Sequence, residues 1–153
     1  MNRLLSFFLR RSTPAPRSLV FVRAAVGLIF STQGVLKLTD PNLGELRFAR
    51  IGFANPGFTA HLVGCFEIVC GVLVLLGLLT RLASLPLLVI ITTAIVSTKL
   101  PELHRAGQGI AFLVSDARTD FAMLCSLLAL LAAGAGAWSL DALLLPGDRK
   151  RGA

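Results

Sequence analysis

Glu67 is the residue most suggestive of chemistry, because it is an acid inside a long apolar segment. It lies about ten residues from either end of that segment, near mid-membrane if the segment spans a bilayer. An ionised carboxylate at that depth costs roughly 2.5–3.5 kcal/mol even on lenient insertion scales. A buried acid must therefore be neutral, paired with a cation or hydrated. We predict Glu67 as a catalytic proton donor or acceptor, with a purely structural hydrogen bond as the alternative.

Arg23, in the preceding apolar segment, is the first cation to consider as a partner for Glu67. Antiparallel alignment of the two segments as helices separates the two residues by about six positions, roughly 9 Å of helix rise. Their side chains also lean in opposite directions, each toward the N-terminus of its own helix. A direct salt bridge is not favoured on these grounds. We assign Arg23 as a structural intramembrane charge that can extend to the lipid headgroups.

A set of polar side chains is predicted to converge near the outer ends of the helices, above Glu67. Thr93 and Ser97 belong to this set, and its predicted substrate-binding members are Gln33, Lys37, His61, Lys99, Arg118 and Asp120. Together they predict a wet pocket with Glu67 at its floor. The alternative gives each residue an ordinary role as a helix cap or interface anchor.

The elements that carry these groups follow from a composition of 55% hydrophobic and 15% charged residues. Such a chain is not an ordinary soluble domain, a disordered chain or a coiled coil. One span takes about 20 apolar residues. We predict an all-α, polytopic membrane domain over residues 18–145, preceded by a basic amphipathic segment at 1–17 and followed by a basic tail at 146–153. Its four transmembrane helices are predicted at about 18–38, 57–79, 82–98 and 120–142.

The connections and charges indicate how the bundle is oriented. Residues 39–56 and 99–119 are predicted as external connections, the second with a segment at 110–114 that can dip into the interface, and Arg81 marks a tight hairpin between the second and third helices. More Lys and Arg residues lie on the side of the termini than on the other, so both termini are predicted to be cytosolic. The net charge of +7 is accordingly assigned to lipid headgroups, and nucleic acid is not an expected partner.

Two helix faces carry small residues and the intramembrane charges at helical spacing. Arg23, Gly27, Phe30, Gly34 and Lys37 share one face of the first helix, and Ala60, Gly64, Glu67, Gly71 and Val74 share one face of the second. Small residues let membrane helices approach closely, so we expect these faces to meet each other or the remaining helices. Cys65, Cys70 and Cys125 lack the spacing of a metal site, and no metal is expected.

The order of these motifs resembles that of the DoxX family of small four-helix bacterial membrane proteins. The resemblance covers roughly residues 20–145 and rests on RAAVGLIFSTQGVLKL, EIVCGVLVLLGLLTR, TKLP, ARTDFAML and GAGAWSLDALL. Cys70 stands where many relatives have a second glycine. The resemblance implies a multi-pass protein of the bacterial cytoplasmic (inner) membrane.

The resemblance also implies a redox setting, because the family includes a subunit similar to that of a quinone-linked oxidoreductase and proteins associated with redox or sulfur stress. The sequence has no haem CxxCH, no dinucleotide-binding GxGxxG and no iron–sulfur cysteine spacing. We therefore expect an accessory subunit that offers a quinone a pocket beside a cofactor-bearing partner. A noncatalytic scaffold or small-molecule conduit is the alternative. Whether the chain is catalytic or forms a homo-oligomer stays open.

Overall fold

The computed structural model describes residues 17–99, 101, 109–136 and 138–141. The helices are α1 (Leu19–Thr39), α2 (Glu45–Ile51), α3 (Pro56–Leu76), α4 (Thr80–Ala94), which continues as a π-helical turn (Ile95–Lys99), and α5 (Gly109–Ala133). No strand occurs among the described residues, and the predicted all-α fold is confirmed. The amphipathic segment and the basic tail predicted at the two termini lie outside the described residues, apart from Arg17.

Three helical stretches of the described chain are long and apolar enough to cross a membrane: Leu19–Thr39, Pro56–Leu76 and Thr80–Lys99. They agree with the first three predicted spans to within a few residues. Pro56 opens α3, where its missing N–H is no loss, and Gly77 ends it with a φ of +71°. Because Thr80 already begins α4, the predicted tight hairpin between these two helices is present. The cytosolic placement of the termini stays a prediction.

The fourth long helix differs from the prediction at both ends. It starts at Gly109, so residues 109–119, which were expected in a connection, are helical. The charged residues there end the apolar run, but they do not interrupt backbone hydrogen bonding. The interfacial placement of residues 110–114 stays a prediction. The helix stops at Ala133, before the predicted end near 142, because Gly134 and Gly136 both adopt a φ of +83°.

The connection between α1 and α3 contains a helix that the hydropathy pattern did not indicate. This seven-residue helix, α2, buries none of its side chains and lies between two glycines. A Cβ on Gly44 would collide with the carbonyl oxygen of Lys37, so glycine lets the chain fold back against the end of α1. Gly52 ends the helix with a φ of +96°.

The four long helices pack in the cyclic order α1, α3, α4, α5, and α1 and α3 form by far the most extensive contact. Their glycines explain why: a Cβ on Gly27 would lie 2.7 Å from the carbonyl oxygen of Gly71, and one on Gly34 would lie 2.6 Å from that of Gly64. The small-residue faces predicted to pack do meet each other. This close approach fixes the register of α1 against α3.

The bundle has a closed end and an open end. We call the end that contains Arg23 and the turn between α3 and α4 the Arg23 end, and the end that contains Lys37 and Lys99 the Lys37 end. A core of fully buried side chains fills the bundle toward the Arg23 end: Val26, Val74, Leu87, Leu127 and Leu130. Toward the Lys37 end the helices separate and leave a cavity.

Candidate functional site

An ion pair between α1 and α3 joins Lys37, near the end of α1, to Glu67, near the middle of α3. The Lys37 Nζ atom lies 2.6 Å from Glu67 Oε2, and only 13% of the lysine side chain and 4% of the glutamate side chain are exposed. Glu67 lies opposite Gly34, one turn from Lys37 along α1. Because helical side chains lean toward the N-terminus of their own helix, these two lean toward each other across the antiparallel pair.

Arg23 is enclosed by backbone carbonyl groups at the other end of the bundle. Its Nε atom donates to the carbonyl of Val74 (3.2 Å) and its Nη2 atom to that of Leu75 (3.2 Å), at the end of α3. Its Nη1 atom donates to the carbonyls of Ala135 and Trp138, both at 2.6 Å. One guanidinium therefore connects α1, the end of α3 and the chain that follows α5.

Arg23 does not pair with Glu67, in agreement with the opposed directions of the two side chains. The suggestion that Arg23 extends to the headgroups is wrong, because the residue is only 3% exposed and donates to carbonyls inside the protein. A Cβ on Gly77 would lie 2.6 Å from the guanidinium carbon, so glycine at the α3–α4 turn leaves room for it. These carbonyls accept hydrogen bonds from the guanidinium, and the nearby carboxylate of Asp141 also stabilises its charge.

A cavity of about 440 Å³ lies at the Lys37 end, with the Lys37–Glu67 pair in its wall. Its volume is within the range of small-molecule sites. The cavity is lined by residues of every described helix: Ile29, Phe30, Gln33, Lys37, Arg47, Phe48, Ile51, Phe53, Thr59, Val63, Glu67, Val89, Ile90, Ile91, Thr93, Ala94, Ser97, Thr98, Lys99, Thr119, Asp120 and Met123. Half of these residues have apolar side chains, and most of the surface of the cavity is apolar.

The structure brings together most of the predicted site residues and leaves two outside. Gln33, Lys37, Glu67, Lys99 and Asp120 all line the cavity, as do the two hydroxyl residues named with them. The substrate-binding role of these residues stays a prediction.

His61 and Arg118 are the two predicted site residues that do not line the cavity. His61 is exposed, and its Nδ1 atom lies 2.8 Å from the carbonyl oxygen of Gly57 one turn earlier in the same helix. Arg118 is exposed on α5. Similar depth along the bundle did not mean that these side chains face its interior.

Four residues in and just after α2 were missed as parts of the site. Arg47, Phe48 and Ile51 of the helix and Phe53 just after it line the cavity, and the charge of Arg47 acts on Glu67. The rings of Phe48 and Phe53 meet edge to face with centroids 5.4 Å apart. The available signal was the spacing of Arg47 and Ile51, four residues apart between two glycines, which places them on one face of a short helix.

The π-helical turn at the end of α4 supplies part of the opposite wall. Ser97, Thr98 and Lys99 line the cavity from this turn. Single π-helical turns often occur at functional sites, and here the turn carries hydroxyl groups and an ammonium group to one surface.

Neither metal nor disulfide chemistry is indicated by the described part of the chain. Those residues contain no group of three or more His, Cys, Asp or Glu side chains placed to hold a metal ion. Cys65, Cys70 and Cys125 are free thiols. The groups that line the cavity are an ammonium–carboxylate pair, the charged side chains of Arg47, Lys99 and Asp120, hydroxyls, an amide and aromatic rings, which bind polar groups and exchange protons.

The fold and the site define a helical membrane protein with a cavity that has a buried ion pair in its wall. The chain belongs to the DoxX family, whose model matches residues 18–100. It is 48% identical over 131 residues to an uncharacterized membrane protein of Mycobacterium tuberculosis, Rv3486, a match covering 82% of this chain and 80% of that protein. It is 26% identical over 130 residues to CatD of Bacillus subtilis, which is named as a candidate oxidoreductase, covering 85% and 89%. No solved structure matches the chain.

Proposed function

We propose that this protein is an accessory subunit of a quinone-linked oxidoreductase or redox stress system of the bacterial cytoplasmic membrane, and that its cavity binds the quinone head. The observation that carries the proposal is the Lys37–Glu67 ion pair in the wall of a largely apolar cavity. The similarity to CatD, a candidate oxidoreductase, supports the redox setting.

The residues of the cavity fit a quinone head. A quinone ring is flat and apolar on its faces and carries two carbonyl acceptors. Phe30, Phe48 and Phe53 offer aromatic surface, and Lys37 offers an N–H donor beside them. A volume of about 440 Å³ holds one ring with the first part of a tail.

In this proposal the ion pair binds the head and handles a proton. A bound quinone supplies reversible two-electron, two-proton chemistry, and a partner subunit with its own cofactor exchanges the electrons. Lys37 donates a hydrogen bond to a ring oxygen. Glu67 accepts or returns a proton, because its carboxylate is the acid side chain nearest to that donor and only 4% exposed to competing water.

A conduit is disfavoured by the packing at the Arg23 end. Val26, Leu87 and Leu127 are fully buried there, and the guanidinium of Arg23 closes the same end through its four carbonyl contacts. Within the described residues, this packing blocks the direct route from Glu67 toward the Arg23 end.

A noncatalytic scaffold keeps some support, since both intramembrane charges also tie helices together. In a pure scaffold the cavity would have no ligand, and the ion pair would act only in stability. Ligand binding therefore separates the two proposals.

The test is quinone binding by the full chain in lipid nanodiscs. We expect saturable binding of an isoprenoid naphthoquinone, at least tenfold weaker in Lys37→Gln and Glu67→Gln. Arg50→Gln is the matched control, because Arg50 is an exposed cation of α2 outside the cavity lining. Unfolding of each variant is measured in parallel. Absence of binding to the natural sequence, or equal binding by all variants, would refute the proposal.

A further inference from the structure

The cavity needs an entrance, and the Arg23 end does not supply one. Toward the Arg23 end it is closed by the buried core around Val26 and Leu127. Toward the Lys37 end, α2 lies against α3, and Arg47, Phe48 and Ile51 form part of the cavity lining. Besides the Lys37 end itself, which α2 borders on one side, a route leads sideways, between two neighbouring helices.

The packing of the helices indicates which pair of helices leaves a gap. The contact of α1 with α3 is tight because of the glycines, and α4 packs well against both α3 and α5. The contact of α1 with α5 is the sparsest of the four contacts between neighbouring long helices. A sideways opening is therefore expected between α1 and α5.

Residues two turns apart on the same side of each helix show where the gap between α1 and α5 lies. Val26 of α1 is fully buried, whereas Gln33, two turns further on the same side of the helix, is exposed and lines the cavity. On α5, Leu127 is fully buried, whereas Asp120, two turns away on the same side, is partly exposed and lines the cavity. The two helices are thus packed near the Arg23 end and separate toward the Lys37 end.

The edges of this gap continue into the apolar outer surface of the bundle. Gln33 is flanked on α1 by Thr32 and Leu36, both exposed, and Thr119 on α5 is exposed, lines the cavity and lies close to exposed Phe121. Since α1 is long and apolar enough to cross a membrane, this surface faces lipid acyl chains. A ligand that moves through the gap comes from the bilayer.

We propose that the gap between α1 and α5, edged by Gln33 and Thr119, is a lateral entrance that holds the apolar tail of a lipid-soluble ligand while its polar head lies at Lys37 and Glu67. With the quinone function proposed above, on which this part rests, the ligand is a long-tailed quinone rather than a water-soluble one. The tail occupies the gap because the cavity lining is mostly apolar and the gap opens to lipid.

The first test compares two ligands in nanodiscs: an isoprenoid naphthoquinone and its tail-less dimethyl analogue. A bulky side chain in Gln33→Trp is expected to weaken binding of the tailed quinone at least tenfold more than binding of the tail-less one. Thr32→Trp is the matched control, because Thr32 is the exposed neighbour of Gln33 and does not line the cavity. Equal losses for both ligands, or no loss for either, would overturn the entrance.

The second test needs no quinone, and so separates this inference from the proposed function. A spin label is attached at Gln33→Cys after Cys65, Cys70 and Cys125 are replaced by alanine. We expect collisions with lipid-soluble oxygen to exceed those with a water-soluble nickel chelate, as at the reference site Thr32→Cys. Dominant collisions with the chelate would show an aqueous opening and overturn the entrance. If the natural sequence binds neither quinone, the quinone function fails, and the label alone decides whether lipid reaches the gap.

Discussion

Replacing Lys37 with methionine is the most direct way to test whether the ion pair determines the behaviour of the bundle. Methionine keeps much of the length and the apolar part of the lysine side chain but removes its charge. Among the described residues, Glu67 then has no hydrogen-bond partner, and Arg47 is left as the cation acting on it from α2. The variant isolates the cost of a single buried carboxylate.

The size of that cost has an upper limit that can be worked out. If Glu67 stays ionised, losing its buried partner typically costs 3–5 kcal/mol. If it takes a proton at pH 7, the cost is about 1.36 kcal/mol for each pH unit above roughly 4.3, or about 3.7 kcal/mol. Glu67 adopts whichever of the two states, ionised or protonated, has the lower free energy. Because removing the ammonium group also removes its own desolvation cost, we expect a net loss of about 2–3 kcal/mol in the free energy of unfolding.

The assay is unfolding by sodium dodecyl sulfate in mild detergent micelles at pH 7 and pH 5. At pH 5 protonation of a free glutamate costs only about 1 kcal/mol, so the defect of Lys37→Met is expected to shrink by more than half. The double variant Lys37→Met/Glu67→Gln is expected to be more stable than Lys37→Met alone at pH 7, because glutamine needs no proton. Arg50→Met, which removes an exposed cation, is the control and should lose less than about 0.5 kcal/mol.

Two outcomes would refute this account of the ion pair. Natural stability in Lys37→Met at pH 7 would mean that Glu67 is satisfied in another way. An equal loss at pH 7 and pH 5, with no rescue by Glu67→Gln, would mean that packing rather than charge sets the cost.

Further predictions concern the glycine seam, the arginine contacts and the residues outside the cavity. Gly34→Ala should lower the free energy of unfolding in detergent by about 2 kcal/mol or more, because its Cβ would lie 2.6 Å from a backbone oxygen of α3. Gly52→Ala should lower it by only about 1–2 kcal/mol, because the site has open space and the only cost is the φ of +96°. Arg23→Lys should lose about 2 kcal/mol and expose the chain after α5 to protease, because one ammonium group cannot reproduce a fork of four hydrogen bonds; unchanged cleavage would count against this role. His61→Ala and Arg118→Ala should leave quinone binding within twofold, and a larger loss for either would place it in the site.

The sequence carried enough information for the α1–α3 seam because packing of that seam depends on side-chain volume alone. Glycines spaced at three and four residues must lie on one face of a helix, and such a face has few uses other than close approach. Gly27 and Gly34 do meet the backbone at Gly71 and Gly64. The membrane class followed in the same way from composition.

The sequence did not identify Lys37 as the partner of Glu67, because position along the helix relative to Glu67 was compared only for Arg23. Side-chain direction, which argued against Arg23, equally favours Lys37, since a lysine one turn beyond Gly34 leans back toward the glutamate. That inference needed the register of the two helices, which the contact of Gly34 with Gly64 fixes. The signal was therefore present, but it required two structural inferences in succession.

The hydropathy pattern does not predict the part of the cavity wall that comes from α2. A seven-residue helix with no buried side chain has no apolar run to detect, and its position depends on where the chain turns at Gly44. Likewise, polarity did not predict the start of α5 at Gly109, because helical backbone hydrogen bonds can continue through charged residues.

The buried charges at the two ends of the bundle interact with different kinds of partner, and this difference indicates which end can be active. At Arg23 the guanidinium donates to backbone carbonyls at the end of α3 and in the chain after α5, so a ligand could replace these acceptors only by displacing that backbone. At Lys37 and Glu67 the charges are taken up by each other, and both side chains border a cavity. A polar ligand can substitute for either partner there at little cost to the backbone. Exchange of partners is what proton transfer and ligand binding require, so chemistry is expected at the Lys37 end and structural stability at the Arg23 end.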